Sequence, residues 1–148
     1  MTRLIARQTF GVLVGNDAWK EPWLRYSLSS AAELLAYRAR KGEKAYETRF
    51  FEEIEVATRL TRPFGVTVGA DVSRFGGDVE MTQVLRDQGA AMLMGIADAM
   101  GAEEFVRTMN LYAQENAALI ADRQDFEAAL ESVSESSWAG YLEDELSF

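Results

Sequence analysis

An all-α domain is the fold this sequence predicts, on three observations. Apolar residues recur at spacings of three and four along most of the chain. Only two prolines, Pro22 and Pro63, occur in 148 residues, and both stand where a helix can begin or a loop can turn. Glycines such as Gly42 and Gly101 fall just past the ends of apolar stripes, where helices stop. The expectation is a compact bundle of about six or seven helices, one domain over residues 1–148, with helices of ordinary length.

The elements follow in order. From Trp23 to Arg40, the residues Leu24, Leu28, Ala31 and Leu35 form one helical face. Basic residues fill that helix's last turn before Lys41-Gly42, where cations suit the negative end of the helix dipole. Glu43 to Leu60 places Tyr46, Phe50, Ile54 and Ala57 on one side. Residues 61–80 break the pattern. Pro63 and four glycines, with a short alternation Val66-Thr67-Val68, predict a long loop that holds a small hairpin.

Helical periodicity returns from Met81 to Met100 through Met92, Leu93 and Ile96. Gly101 ends it, and Phe105, Met109 and Tyr112 mark the next helix. Asp122 reads as an N-cap with Asp125 three residues on, ahead of Phe126, Ala129, Leu130 and Val133. Ser136 or Ser137 is the expected cap of a last helix carrying Trp138, Tyr141, Leu142 and Leu146. The Met and aromatic stripes read as core, and Glu143-Asp144-Glu145 as a solvated face.

Composition narrows the chemistry. Lys and Arg total 15 and Asp and Glu 24, a net charge of −9, which repels a phosphate backbone, so no nucleic-acid partner is expected. The chain has neither histidine nor cysteine. It therefore has no Ser-His-Asp triad, no imidazole or thiolate metal ligand and no disulfide. No apolar run approaches the about 20 residues of a membrane span, no signal peptide is expected, and the compartment is not readable.

Several stretches resemble the M1 aminopeptidases, gluzincin metallopeptidases. Asp87-Gln88-Gly89-Ala90-Ala91-Met92-Leu93 is similar to the family's Tyr-Asp-Lys-Gly-Ala-x-Met-Leu helix start. Met100-Gly101-Ala102-Glu103-Glu104-Phe105 is similar to its Leu-Gly-Asp-Glu-x-Phe turn. Asp125-Phe126 with Leu130, Val133 and Ser134 resembles its Asp-Phe-x-x-x-Leu-Glu-x-Val-Ser helix. Near the start, Phe10-Gly11 resembles the residues past the His-Glu-x-x-His motif, and Glu21-Pro22-Trp23-Leu24 resembles the entry to Trp-Leu-(Asn/Asp)-Glu-Gly. The implied fold is the helical half of the catalytic domain, without the β-sheet sub-domain that precedes it.

That register puts Arg3 and Arg7 at the two His positions, Leu4 at the general base and Tyr26 at the third zinc ligand. Eighteen residues separate Arg7 from Tyr26, as in the family. Arg86 takes the place of the transition-state tyrosine. Arginine keeps its proton, leucine accepts none, and tyrosine alone is a poor zinc ligand. The resemblance therefore implies a degenerate site at Arg3, Leu4, Arg7, Tyr26 and Arg86, with no catalytic residue, no metal and no cofactor. Thr9, Arg25, Ser29 and Ser30 are polar neighbours that would face the same cleft.

Two readings fit. One is a non-catalytic fragment or an engineered scaffold. The other is a natural pseudopeptidase whose Arg3, Arg7, Arg25 and Arg86 hold an acidic peptide or partner. Against the second, those arginines can equally pair with acids such as Glu33 or Asp87. A former cleft face is also a surface for pairing copies of the chain. A divalent-cation site at Asp71, Asp78 and Glu80 is disfavoured, since the spacing is not that of an EF-hand and Gly-Gly-Asp is ordinary turn chemistry.

Overall fold

Pro22 opens the first of the described helices at the position where its missing N–H costs nothing. This helix, α1 (Pro22–Lys41), runs 20 residues and buries Trp23, Leu24, Leu28, Ala31, Leu34 and Leu35. All four residues of its expected stripe are buried. The helix stops at Gly42, whose φ of 85° lies in the left-handed region and whose N–H returns to the Arg38 carbonyl at 2.9 Å. The computed structural model describes residue 10 and residues 13–61, 65–134 and 136–147. Arg3, Leu4, Arg7 and Thr9 lie outside the described residues.

Six helical rods carry the described fold. After α1 comes a rod built from α2 (Glu43–Arg49), a π-helical segment Phe50–Glu55, and α3 (Val56–Thr61). The third rod joins α4 (Asp78–Gln83) through a second π-helical segment, Val84–Gln88, to α5 (Gly89–Met100). Then follow α6 (Ala102–Glu115), α7 (Arg123–Ser134) and α8 (Ala139–Ser147). The fold is the all-α bundle that the periodicity predicts.

At the centre, α1 packs along α5 and the second π segment, and the α2–α3 rod lies against both. α6 folds back on α5 and pairs with α7. A chain of aromatic rings links these layers. Trp23 meets Phe126 edge-on at 6.0 Å, Phe126 meets Tyr112 edge-on at 5.5 Å, and Tyr112 stacks on Phe10 at 6.5 Å.

The crossing of α1 and α5 depends on one glycine. Ser27 donates from its hydroxyl to the Leu85 carbonyl at 2.7 Å, a buried bond that locks the second π segment onto α1. A Cβ on Gly89 would stand 2.0 Å from that hydroxyl oxygen and 2.7 Å from the Ser27 Cβ. Gly89→Ala is therefore expected to destabilise the fold by about 1–3 kcal/mol through overpacking, read by denaturant unfolding. Ser27→Gly in the same chain should recover part of the loss, and no recovery would place the strain elsewhere.

Three local expectations meet different outcomes. The Asp122 cap forms as a reciprocal box: Asp122 Oδ1 accepts from the N–H groups of Gln124 (2.8 Å) and Asp125 (3.2 Å), and Asp125 Oδ2 accepts from the Asp122 N–H (2.9 Å). The expected hairpin in residues 61–80 is absent among the described residues, and helix begins already at Asp78. The reason is that Val68 is buried beside Gly89, and the Gly69 N–H bonds to the Leu146 carbonyl at 3.1 Å, so this loop docks on helices and not on itself. The last helix begins at Ala139, past Ser136 and Ser137, with the Trp138 carbonyl accepting the Leu142 N–H at 2.9 Å.

A short parallel ladder, β1 (Gly15–Asn16) with β2 (Ile120–Ala121), joins the segment before α1 to the segment before α7. Two residues per strand leave no alternation to read, so periodicity could not announce it.

Candidate functional site

The two π segments converge on one side of α1. Each is a turn with i→i+5 bonding, which widens the helix by one residue. Between them and α1 lies a cavity of about 300 Å³ lined by Ser30, Glu33 and Leu34 from α1, Arg49, Glu53 and Ile54 from the α2–π rod, and Arg86 and Asp87 from the second π segment. Ser30 and Glu33 are three residues apart, so they share a face of α1.

The cavity's charges are arranged in two groups. Arg86 donates to Asp87 from Nε (2.6 Å) and Nη2 (3.1 Å), a two-pronged pair over a carboxylate that is only 1% exposed. That pairing raises the Arg86 pKa above its ordinary value, although partial burial works against it. Arg49 donates from Nη2 to Glu33 and from Nε to Glu53, both at 2.9 Å, and lies over the Tyr37 ring at 4.7 Å. For Arg49, burial lowers the pKa, but the bonds to Glu33 and Glu53 outweigh it and the net shift is upward. Every charge in the cavity thus has an opposite neighbour.

The expected site residues divide. Arg86 lines the cavity. Tyr26 is half-buried against the core, with the Arg25 guanidinium 5.9 Å from its ring centre. The Ser27–Leu85 bond sets the two at one level, since it joins the residue after Tyr26 to the residue before Arg86. Ser29 is buried and bonds back to the Arg25 carbonyl at 2.6 Å, while Ser30 opens on the cavity.

Of the two acids weighed as partners, Asp87 holds Arg86, and Glu33 holds Arg49. Arg49 and Glu53 carry no signal in the family resemblance. Their spacing of four on a helix was the one available hint that they pair.

The acidic loop does turn chemistry. Asp71 caps a short 3-10 turn, Val72–Arg74: it accepts from the Ser73 hydroxyl and, at 2.9 Å, from the Ser73 N–H, which together hold its pKa low, and Glu80 accepts the Gly76 N–H. Among the described residues no group of three or more His, Cys, Asp or Glu side chains is placed to hold a metal ion. No described helix is long and apolar enough to cross a membrane.

No family model matches the chain, and no solved structure matches it. A curated relative does. Aminopeptidase M1-B of Oryza sativa subsp. japonica is 28% identical over 135 residues, which cover 88% of this chain. The same stretch is 15% of the relative, so the chain spans about 15% of the length of the curated protein it matches. This likeness marks a distant relation to the M1 aminopeptidases along most of the chain.

Proposed function

We propose that this chain is a single non-catalytic helical domain of M1-aminopeptidase descent, related to the helical half of the catalytic domain, with the positions of metal, base and oxyanion stabiliser replaced. The observation that carries this reading is the state of Arg86. At the position assigned to the transition-state tyrosine stands a guanidinium bonded through two nitrogens to a buried carboxylate. A guanidinium so engaged anchors a helix, and it can serve neither as a metal ligand nor as a general base.

The donor set does not fit a zinc ion. Of the assigned ligands, Arg3 and Arg7 are cations by residue type, and Tyr26 is a phenol with Arg25 at its ring. No catalytic step runs through a metal here. The alternative of an acidic peptide in an Arg-lined cleft draws little from the cavity, where, among the described residues, two guanidiniums already face three carboxylates.

Two measurements test the proposal. Calorimetric titration with zinc chloride should show no stoichiometric site, and aminoacyl reporter substrates should not be hydrolysed above the buffer rate. A stoichiometric site of sub-micromolar affinity, or turnover that a chelator abolishes, would overturn it.

A further inference from the structure

A second concavity opens on a different face of α1, where its last turns meet the start of α6. It is a groove of about 470 Å³, with Leu35 and Ala39 of α1 on one side and Ala102 and Val106 of α6 on the other. Leu35 is buried there, and Val106 is 38% exposed. Valine is a weaker helix former than the long polar residues that suit an exposed helical position, so α6 gains nothing locally from Val106.

The charged side chains that border the groove are Arg38, Glu103 and Arg107. Arg38 is already engaged: Nε and Nη2 donate to Glu43 and Nη1 to Asp98, each at 2.7 Å. Glu103 and Arg107 are exposed and form no ion pair among the described residues. They stand four residues apart on α6, so they share its outer face with Val106. The groove therefore offers a partner one free carboxylate and one free guanidinium, about 6 Å apart along the helix.

This pattern selects the occupant. A partner of one sign would satisfy one of these groups and be repelled by the other. A second copy laid antiparallel on α6 satisfies both, since Glu103 of each copy faces Arg107 of the other, whereas a parallel copy sets like charges together. Val106 then falls near the two-fold axis, and each α6 lies in the groove of the other. The two free charges cancel, so copies can meet on this face despite a net charge of −9 on each chain. We propose that the groove between α1 and α6 is a self-association surface that joins two copies of the chain antiparallel through α6. It uses none of the positions assigned to the former cleft, and it draws nothing from the chain's descent from a peptidase.

Sedimentation equilibrium of the full chain is the experiment. Two faces this small belong at the weak end of association, so a dimer is expected with a Kd on the order of 100 µM. Glu103→Arg and Arg107→Glu should each weaken it at least about tenfold, because each sets like charges opposite one another on both sides of the axis. The two single variants, mixed, should pair with each other. The double variant, which exchanges the charges, should recover the association of the parent to within about threefold. Both positions are exposed, so thermal unfolding of every variant should stay near that of the parent. A parent that stays monomeric up to about 1 mM, single variants that associate as the parent does, or failure of the mixture or of the double variant to pair would each overturn the proposal.

Discussion

Replacing Arg86 with alanine is expected to destabilise the protein by about 2–4 kcal/mol, because it strands a buried carboxylate. Asp87 is 1% exposed and both its oxygens accept from this one guanidinium. The value falls below the full cost of a buried pair because the Arg86 side chain is itself 38% exposed, and water reaches one side of it. Urea unfolding at neutral pH is the measurement. The double variant Arg86→Met, Asp87→Asn should recover most of the loss, since it removes both charges together. A single variant within about 0.5 kcal/mol of the parent would show that the pair does not hold the second π segment in place.

Trp23→Ala should be costlier still, about 3–5 kcal/mol, and here the loss comes from packing. Trp23 is 1% exposed in the first turn of α1, with its ring against Phe126 of α7. Removing it empties the start of an aromatic chain that passes through Phe126 and Tyr112 to Phe10. Loss of intrinsic fluorescence change will not report this variant well, so far-ultraviolet circular dichroism against denaturant is the better readout. Phe126→Leu, which keeps most of the volume, should cost clearly less. Equal losses for the two would mean that ring geometry, and not volume, dominates at this contact.

Much of the fold was legible. The stripes Leu24-Leu28-Ala31-Leu35 and Met92-Leu93-Ile96 are buried as their spacing implies, and Gly42 and Gly101 end helices where expected. Capping and helical burial depend on residues three or four apart, so a linear reading captures them. The loop was harder. Val66-Thr67-Val68 has the alternation of a strand, but Val68 finds its partner on α5, more than one element away. Propensity lost to tertiary docking there.

The site was legible only in part. Arg86 and Tyr26 entered through the family resemblance, and the pairing of Arg86 with Asp87 was one of the outcomes weighed. The cavity itself was invisible, for it needs Ser30, Glu53 and Arg86 together, and these come from three separate rods. Arg49 reaches Glu33 across 16 residues and Ser27 reaches Leu85 across 58.

The sequence by itself determined the class of fold and the limits of its chemistry. Helical periodicity is local, and the absence of histidine and cysteine is absolute, so neither needs a structure. Only the tertiary structure decided which charges neutralise one another. Phe50–Glu55 buries only Ile54, and Val84–Gln88 buries Val84, Leu85, Asp87 and Gln88, so no apolar period marks these widened π turns and only the structure reveals them. Those two turns, laid against one face of α1, give the molecule a cavity lined by groups of both signs.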